Sequence, residues 1–501
     1  MTDGLPTLGR ALAASPEFQA RRDLGVPAPG LLDLPEKAVQ FGTGVFLRGF
    51  VDYFLDAANR AGRFGGRVVM VGSTGSGRDQ TVNDQDGLYT LSVQGIAGGE
   101  ARRELRVVGS VSRALSAPDE WAAVLEVARS PELELVFSNT TEVGIALDEE
   151  DRPDLDPPRS FPGKLARFLY ERARAFDFDP ARGVVVLPCE LIEDNGDRLR
   201  GIVLELAERW GLEERFARWI RESVPFCNTL VDRIVPGAPS GEQRGEIVAE
   251  LGYRDGLLTA CEVYRLFAIQ ADDAVRARLG FAAADPGVVL ADDVAPFRER
   301  KVRLLNGAHT VTVAVALLAG CETVLEAVRH ELVGPFLRRA LLDEIVPSVD
   351  VPGAAEFARD TLDRFANPYI RHALLDITLQ HTMKTRVRVV PSILAYAERT
   401  GRVPASLAFG FAAGLLLARG EPRRADDHGA PVRALWAALP DTSPESLRGL
   451  ARAACADADT WGADLSAVPG FAEAVGDALV HAVRDGVPAA LEAHLGAVAA
   501  A

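Results

Sequence analysis

Lys301, Asn306 and His309 are the residues of this chain whose types and spacing could do chemistry, in the segment Lys301-Val-Arg-Leu-Leu-Asn306-Gly-Ala-His309. They follow Asp292-Asp293 and Pro296, a residue suited to a first helical turn because its missing N–H has no partner there anyway. The apolar run from Val311 to Ala319 extends the segment into what reads as one long buried helix. At about 100° per residue, Asn306 lies roughly 140° round from Lys301 and His309 roughly 80°, so all three share one side. Such a set can assist the reduction of a carbonyl by a hydride donor without a metal: a lysine moves the proton, an amide polarises the oxygen, and an imidazole orients a neighbouring hydroxyl. An unperturbed lysine titrates near about 10.4, so the role calls for desolvation. A lysine opening a helix is more commonly solvated, and a single histidine among apolar residues is more commonly core. The surrounding elements must decide.

The chain has 501 residues, more than one core can serve, and two or three domains are expected. With 25% charged and 48% hydrophobic residues it has the composition of an ordinary globular protein. A net charge of −16 argues against nucleic acid as a partner, but an anionic small molecule needs only a local cluster of Arg and Lys. Cys189, Cys227, Cys261, Cys321 and Cys455 form no C-x-x-C pair, so neither zinc nor a disulfide framework is expected. Scattered thiols and the absence of a signal-peptide pattern lead to the expectation of a cytoplasmic protein. The most apolar segments, Val311–Ala319 and Leu407–Ala418, are too short or too interrupted by Gly for a membrane span.

Ala38–Phe41 reads as a short strand, followed by Gly42-Thr-Gly44-Val-Phe46-Leu47-Arg48 and an amphipathic segment from Phe50 to Ala61. A strand, a glycine turn and a helix in that order suit a dinucleotide's pyrophosphate, because glycines admit the backbone and the helix start supplies N–H groups. The third glycine of the usual fingerprint is replaced near its place by Leu47 or Arg48. Further strands are expected at Arg67–Val71, at Leu133–Phe137 before the polar loop Ser138-Asn139-Thr140-Thr141-Glu142, and at Gly183–Pro188. Helical stretches such as Trp121–Arg129 and Lys164–Phe176 lie between them, so the first half reads as a doubly wound α/β unit. From about residue 290 helical periodicity takes over, punctuated by Pro347, Pro352, Pro368, Pro391, Pro404 and Pro422. The expected division is a Rossmann-like domain over 1–290 and an α-helical domain over 291–501.

Gln40–Arg48, Gln85–Thr90, Val136–Gly144, Pro188–Ile192 with Asn195-Gly196, Thr229–Ile234, Lys301–His309 and Asn367–His372 occur in the order found in the polyol-specific long-chain dehydrogenases, the mannitol dehydrogenase family, which the chain resembles over nearly its whole length. Pro188–Ile192 and Asn306–Thr310 resemble its uronate branch. The resemblance implies an NAD-dependent enzyme that interconverts D-tagaturonate and D-altronate. The neighbouring possibilities are fructuronate and mannonate, or mannitol and fructose. It further implies that Lys301 is the general acid/base, that Asn306 and Asn195 hold the reacting oxygen, and that His309 binds a substrate hydroxyl. Phe41, Gly42, Gly44, Phe46, Leu47, Arg48, Asn139 and Thr140 would contact the nucleotide. Asp232, Arg371, His372 and Lys384 would face the substrate. Arg233 and Arg364 lie in the same motifs and could equally be buried structural partners.

One departure concerns the cofactor. Rossmann-type NAD sites usually place an acid after the second strand for the ribose hydroxyls, whereas Val71-Gly-Ser-Thr-Gly-Ser-Gly-Arg78 contains none. Arg78 could accept a 2′-phosphate, which makes NADP the second expectation.

Overall fold

The computed structural model describes residues 4–73, 77–140, 144–239, 241–420 and 424–499. The chain divides into two compact units, one holding the residues up to Gln94 together with Ala101–Val294, the other Gly95–Glu100 with Ala295–Ala501.

The first unit is built on five strands: β1 Glu36–Phe41, β2 Arg67–Gly72, β3 Val111–Ser116, β4 Leu135–Ser138 and β5 Val185–Pro188. They pair in parallel in the order β3-β2-β1-β4-β5. Alternate residues supply two cores. Ala38, Met70, Leu135, Phe137 and Leu187 face one side with Phe50 and Phe54, beside helix α1 (Val51–Arg60). Val39, Phe41, Val71, Val136 and Val186 face the other, against α2 (Ala117–Ala128), α3 (Phe161–Ala175) and α4 (Asn195–Arg209). Burial on both faces is why these strands read as continuous apolar runs rather than alternating ones. Two small sheets complete the unit. One orders 288–291, 266–270 and 229–232; the other orders 100–108, 89–97 and 259–261. The turn joining 89–97 to 100–108 is a Gly98-Gly99 pair with positive φ, which glycine adopts without Cβ strain. Its tip groups with the second unit, where the Gly99 N–H donates to Asp363 Oδ2 at 3.1 Å.

The second unit is otherwise helical. Its centre is α5 (Ala295–Arg300), a π-helical turn over Lys301–Asn306, and α6 (Gly307–Leu318). The expected single α-helix is therefore interrupted at the residues proposed to do chemistry. Residues 310–316 of α6 are buried, and α9 (Ala405–Leu417) crosses close against it, after α7 (Ala354–Phe365) and α8 (His381–Arg388). The crossing depends on Gly410, where a Cβ would sit 2.2 Å from Val311 Cγ2 and 2.8 Å from its carbonyl oxygen. The buried start of α9 is closed by Glu344, which accepts from Ser406 N at 2.7 Å and Leu407 N at 2.8 Å. Among the described residues no helix is long and apolar enough to cross a membrane.

Candidate active site

In a sheet of order 3-2-1-4-5 the crossover direction reverses between β1 and β4, and ligands collect outside the carboxyl ends of those strands. Gly42 leaves β1 with φ +134° and donates its N–H to the Val71 carbonyl at 2.9 Å. A Cβ there would meet Asn139 O and Leu47 Cδ1, each at 3.2 Å, so only glycine lets the turn pass under the β4 loop. Gly44 caps the short helix Val45–Gly49, and a Cβ on it would meet nothing within 4 Å, which leaves open space in front of that helix. This turn fits a pyrophosphate approaching the backbone.

The side chains expected around the nucleotide divide into two groups. Phe41 and Leu47 are core residues, Phe41 lying 5.4 Å from Phe161 and 5.7 Å from Phe168 between ring centroids, so they offer a ligand backbone only. Phe46 is half-buried and stacks on Phe50 at 5.0 Å. Arg48 is buried rather than directed at a ligand: its guanidinium donates to Thr43 O at 2.5 Å and Thr259 Oγ1 at 3.3 Å. Asn139 and Thr140 remain half-buried at the end of β4. The Asn139 amide donates to Cys189 O at 2.7 Å, and Thr140 donates from N at 3.0 Å and Oγ1 at 3.1 Å to Glu190 Oε1. Ser138 Oγ donates to the other oxygen of the same carboxylate at 3.0 Å. Glu190 thus ties the β4 loop to the end of β5; burial raises its pKa against the hydrogen bonds it accepts. The loop residues Thr141 and Glu142, the segment Thr74–Ser76 after β2, and Pro422 lie outside the described residues. Arg78 is exposed as the first residue of helix Arg78–Asp84.

Asn195 corrects the expectation placed on it. It is fully buried, and its amide donates to Pro188 O at 3.1 Å, Glu190 O at 3.0 Å and Thr229 Oγ1 at 3.1 Å while its Oδ1 accepts from Thr229 N at 2.9 Å. No donor is left for a substrate oxygen, so Asn195 braces the end of β5. Asp232 is buried at the end of the short strand Thr229–Asp232. Arg233 is structural: it donates to Glu262 O at 2.9 Å and Gly49 O at 2.7 Å, with its guanidinium 4.5 Å from the Tyr53 ring centroid.

In the second unit Lys301, Asn306 and His309 stay half-buried, whereas residues 303–305, 307, 308 and 310–316 are buried. Apart from Val302, which is half-buried too, the expected set is what residues 301–316 leave accessible. The π turn alters the angle derived for an α-helix, because i→i+5 pairing brings residues five apart, such as Lys301 and Asn306, closer to one line. Such turns recur at functional sites. Arg303 points inward, donating to Ser392 Oγ at 2.7 Å and Ser348 Oγ at 3.1 Å. His309 packs 3.8 Å from the Phe365 ring and 5.1 Å from His372, between centroids. Burial, with the nearby His372, Arg364, Arg388 and Lys384, holds its pKa well below the ordinary histidine value, so its imidazole is neutral.

Among the basic residues near the Asn367–His372 motif, His372 and Lys384 belong to this cluster, and burial lowers the pKa of both. Arg371 does not: it is exposed, and its charge acts on Glu326. Arg386 is exposed too, and donates to Asp459 O at 2.9 Å. Sequence reasoning missed Arg388 and Glu190. Arg388 stands four residues after Lys384, the spacing that puts two side chains on one helix face, and that signal was available. Among the described residues no three His, Cys, Asp or Glu side chains gather to hold a metal ion.

Residues 36–282 match the family model of the mannitol dehydrogenase Rossmann domain, and residues 293–483 that of the mannitol dehydrogenase C-terminal domain. The altronate oxidoreductase of Bacillus subtilis (strain 168) is 43% identical to the chain over 91% of it and 95% of its own length. That of Pectobacterium atrosepticum is 40% identical over 92% and 97%. The Pseudomonas fluorescens mannitol 2-dehydrogenase, solved as a ternary complex with NAD and D-mannitol, shares the fold at a TM-score of 0.67 and 23% identity, over 98% of this chain and 99% of its own. A D-sorbitol dehydrogenase in substrate-free form does so at 0.78 and 23%, over 97% and 100%.

Proposed function

The chain belongs to the mannitol dehydrogenase family, and from that premise we propose that it is an NAD-dependent oxidoreductase interconverting D-tagaturonate and D-altronate. The observation that carries the reading is that Lys301, Asn306 and His309 are the polar side chains left accessible on a largely buried segment, in a chain 43% identical to an altronate oxidoreductase. The glycine turn at Gly42–Gly44 and the loop at Asn139–Thr140 hold the nucleotide in this reading. When bound, the dinucleotide supplies the hydride. Reduction turns the keto oxygen into an alkoxide, and Lys301 Nζ gives it the proton it needs. The Asn306 amide donates to that oxygen as charge develops. His309, being neutral, accepts from a substrate hydroxyl through one ring nitrogen and so fixes the sugar's orientation. In the oxidative direction the lysine, as free amine, takes the hydroxyl proton.

NADP is the second cofactor reading, favoured by exposed Arg78 just beyond the β2 loop. Spectrophotometric assays with NADH and NADPH against D-tagaturonate, D-fructuronate and D-fructose test the assignment. Turnover of D-tagaturonate with the highest kcat/KM is expected; a preference for D-fructose would reject it.

A further inference from the structure

Helix α8 places Lys384 and Arg388 one turn apart on one face. Both are half-buried. The Lys384 ammonium donates to Ile377 O at 3.0 Å, and Arg388 Nη1 donates to Thr310 Oγ1 at 3.5 Å. Thr310 Oγ1 in turn donates to Asn306 O at 2.8 Å. The carbonyl of Arg388 packs so close to Gly307 that a Cβ there would lie 3.1 Å away. The arginine therefore sits against the turn that carries Asn306 and His309.

Among the described residues no carboxylate pairs with either cation. Desolvation lowers the pKa of both, and Arg388 lowers that of Lys384 further. Two desolvated like charges held side by side are costly, and folded proteins normally pair such groups. A site that keeps them unpaired is arranged for an anion that arrives from outside. The guanidinium fork matches a carboxylate bidentately, and an ammonium beside it adds a second charge-assisted donor.

We propose that Arg388, with Lys384 beside it, binds the carboxylate of the substrate and so selects keto-uronates over uncharged ketoses. This rests on the reading of Lys301, Asn306 and His309 as the reaction site. Arg371 and Arg386, the other arginines near the Asn367–His372 motif, are exposed and stand apart from this pair.

The test measures KM and kcat for D-tagaturonate and for D-tagatose, its uncharged analogue, and the calorimetric Kd for D-altronate, in wild type, Arg388→Met, Arg388→Lys and Lys384→Met. Arg388→Met is expected to raise the KM for D-tagaturonate and the Kd for D-altronate roughly 10- to 100-fold, the loss typical of a charge-assisted hydrogen bond. The preference for D-tagaturonate over D-tagatose should fall by a similar factor, kcat changing little. Should the methionine variant not fold, Arg388→Lys, which keeps the charge without the fork, and Lys384→Met carry the same expectation at smaller size. A KM and Kd within about threefold of wild type in folded variants, well below that range, would overturn the clamp while leaving the reductase reading intact. A wild type that reduces D-tagatose but no keto-uronate would overturn both.

Discussion

Asn195 and Thr229 exchange hydrogen bonds: Thr229 N donates to Asn195 Oδ1 at 2.9 Å, and Asn195 Nδ2 donates back to Thr229 Oγ1 at 3.1 Å. The same amide reaches Pro188 O, so one side chain joins the end of β5 to the strand Thr229–Asp232. Asn195→Ala leaves the buried Thr229 N–H without its acceptor, at a cost of about 1–3 kcal/mol. Urea unfolding of wild type and variant should show that loss. An unchanged midpoint together with abolished turnover would mean that the amide acts on substrate instead of bracing.

Asp52 gives a pH dependence with a definite sign. Its carboxyl is fully buried and pushed up to about 7 by burial, against the opposing hydrogen bond from Tyr89 and the charge of Arg48. An unfolded Asp titrates near about 3.9, so between that pH and 7 the folded state binds more protons. The stability this group contributes is complete below about pH 3.9 and is lost as pH rises through 7. Asp52→Asn lacks that loss, so it should gain stability relative to wild type between about pH 5 and pH 8. Guanidinium midpoints at the two pH values measure it, and a pH-independent difference would show that Asp52 titrates normally.

The cofactor reading turns on Arg78. With no acid between Val71 and Arg78, NADH should be used with weaker discrimination against NADPH than a ribose-binding Asp enforces. The ratio of kcat/KM for the two cofactors measures this. A strong NADPH preference that collapses in Arg78→Ala would reverse the order.

Much of this was legible in the sequence because the α/β unit buries both faces of its sheet. Apolar runs such as Arg67–Val71, separated by helical periodicity, have few other solutions. Lys301, Asn306 and His309 are candidates by type and spacing, but the π turn is not readable there, since one extra residue in a turn leaves no periodic trace over so short a segment. Asn195 was misjudged for a different reason. A motif names a residue type and cannot show whether the amide is spent on neighbours such as Pro188 and Thr229. Arg48 failed in the same way, because only the fold reveals that its guanidinium turns in to Thr43 and Thr259. The reverse holds for Arg388, whose i+4 relation to Lys384 was visible while its lack of an acidic partner was not.

Lys301 is the proton donor in the proposed reaction, and the rate of a single turnover in Lys301→Ala tests that directly. Enzyme preloaded with NADH is mixed with D-tagaturonate, and the loss of nicotinamide absorbance is followed in wild type and variant, with NADH affinity measured separately. The rate should fall about 10²- to 10⁴-fold, the contribution of general acid catalysis, with NADH affinity nearly unchanged. A variant that binds NADH normally and reduces the keto group within about threefold of the wild-type rate, well below that range, would mean that Lys301 is not the proton donor.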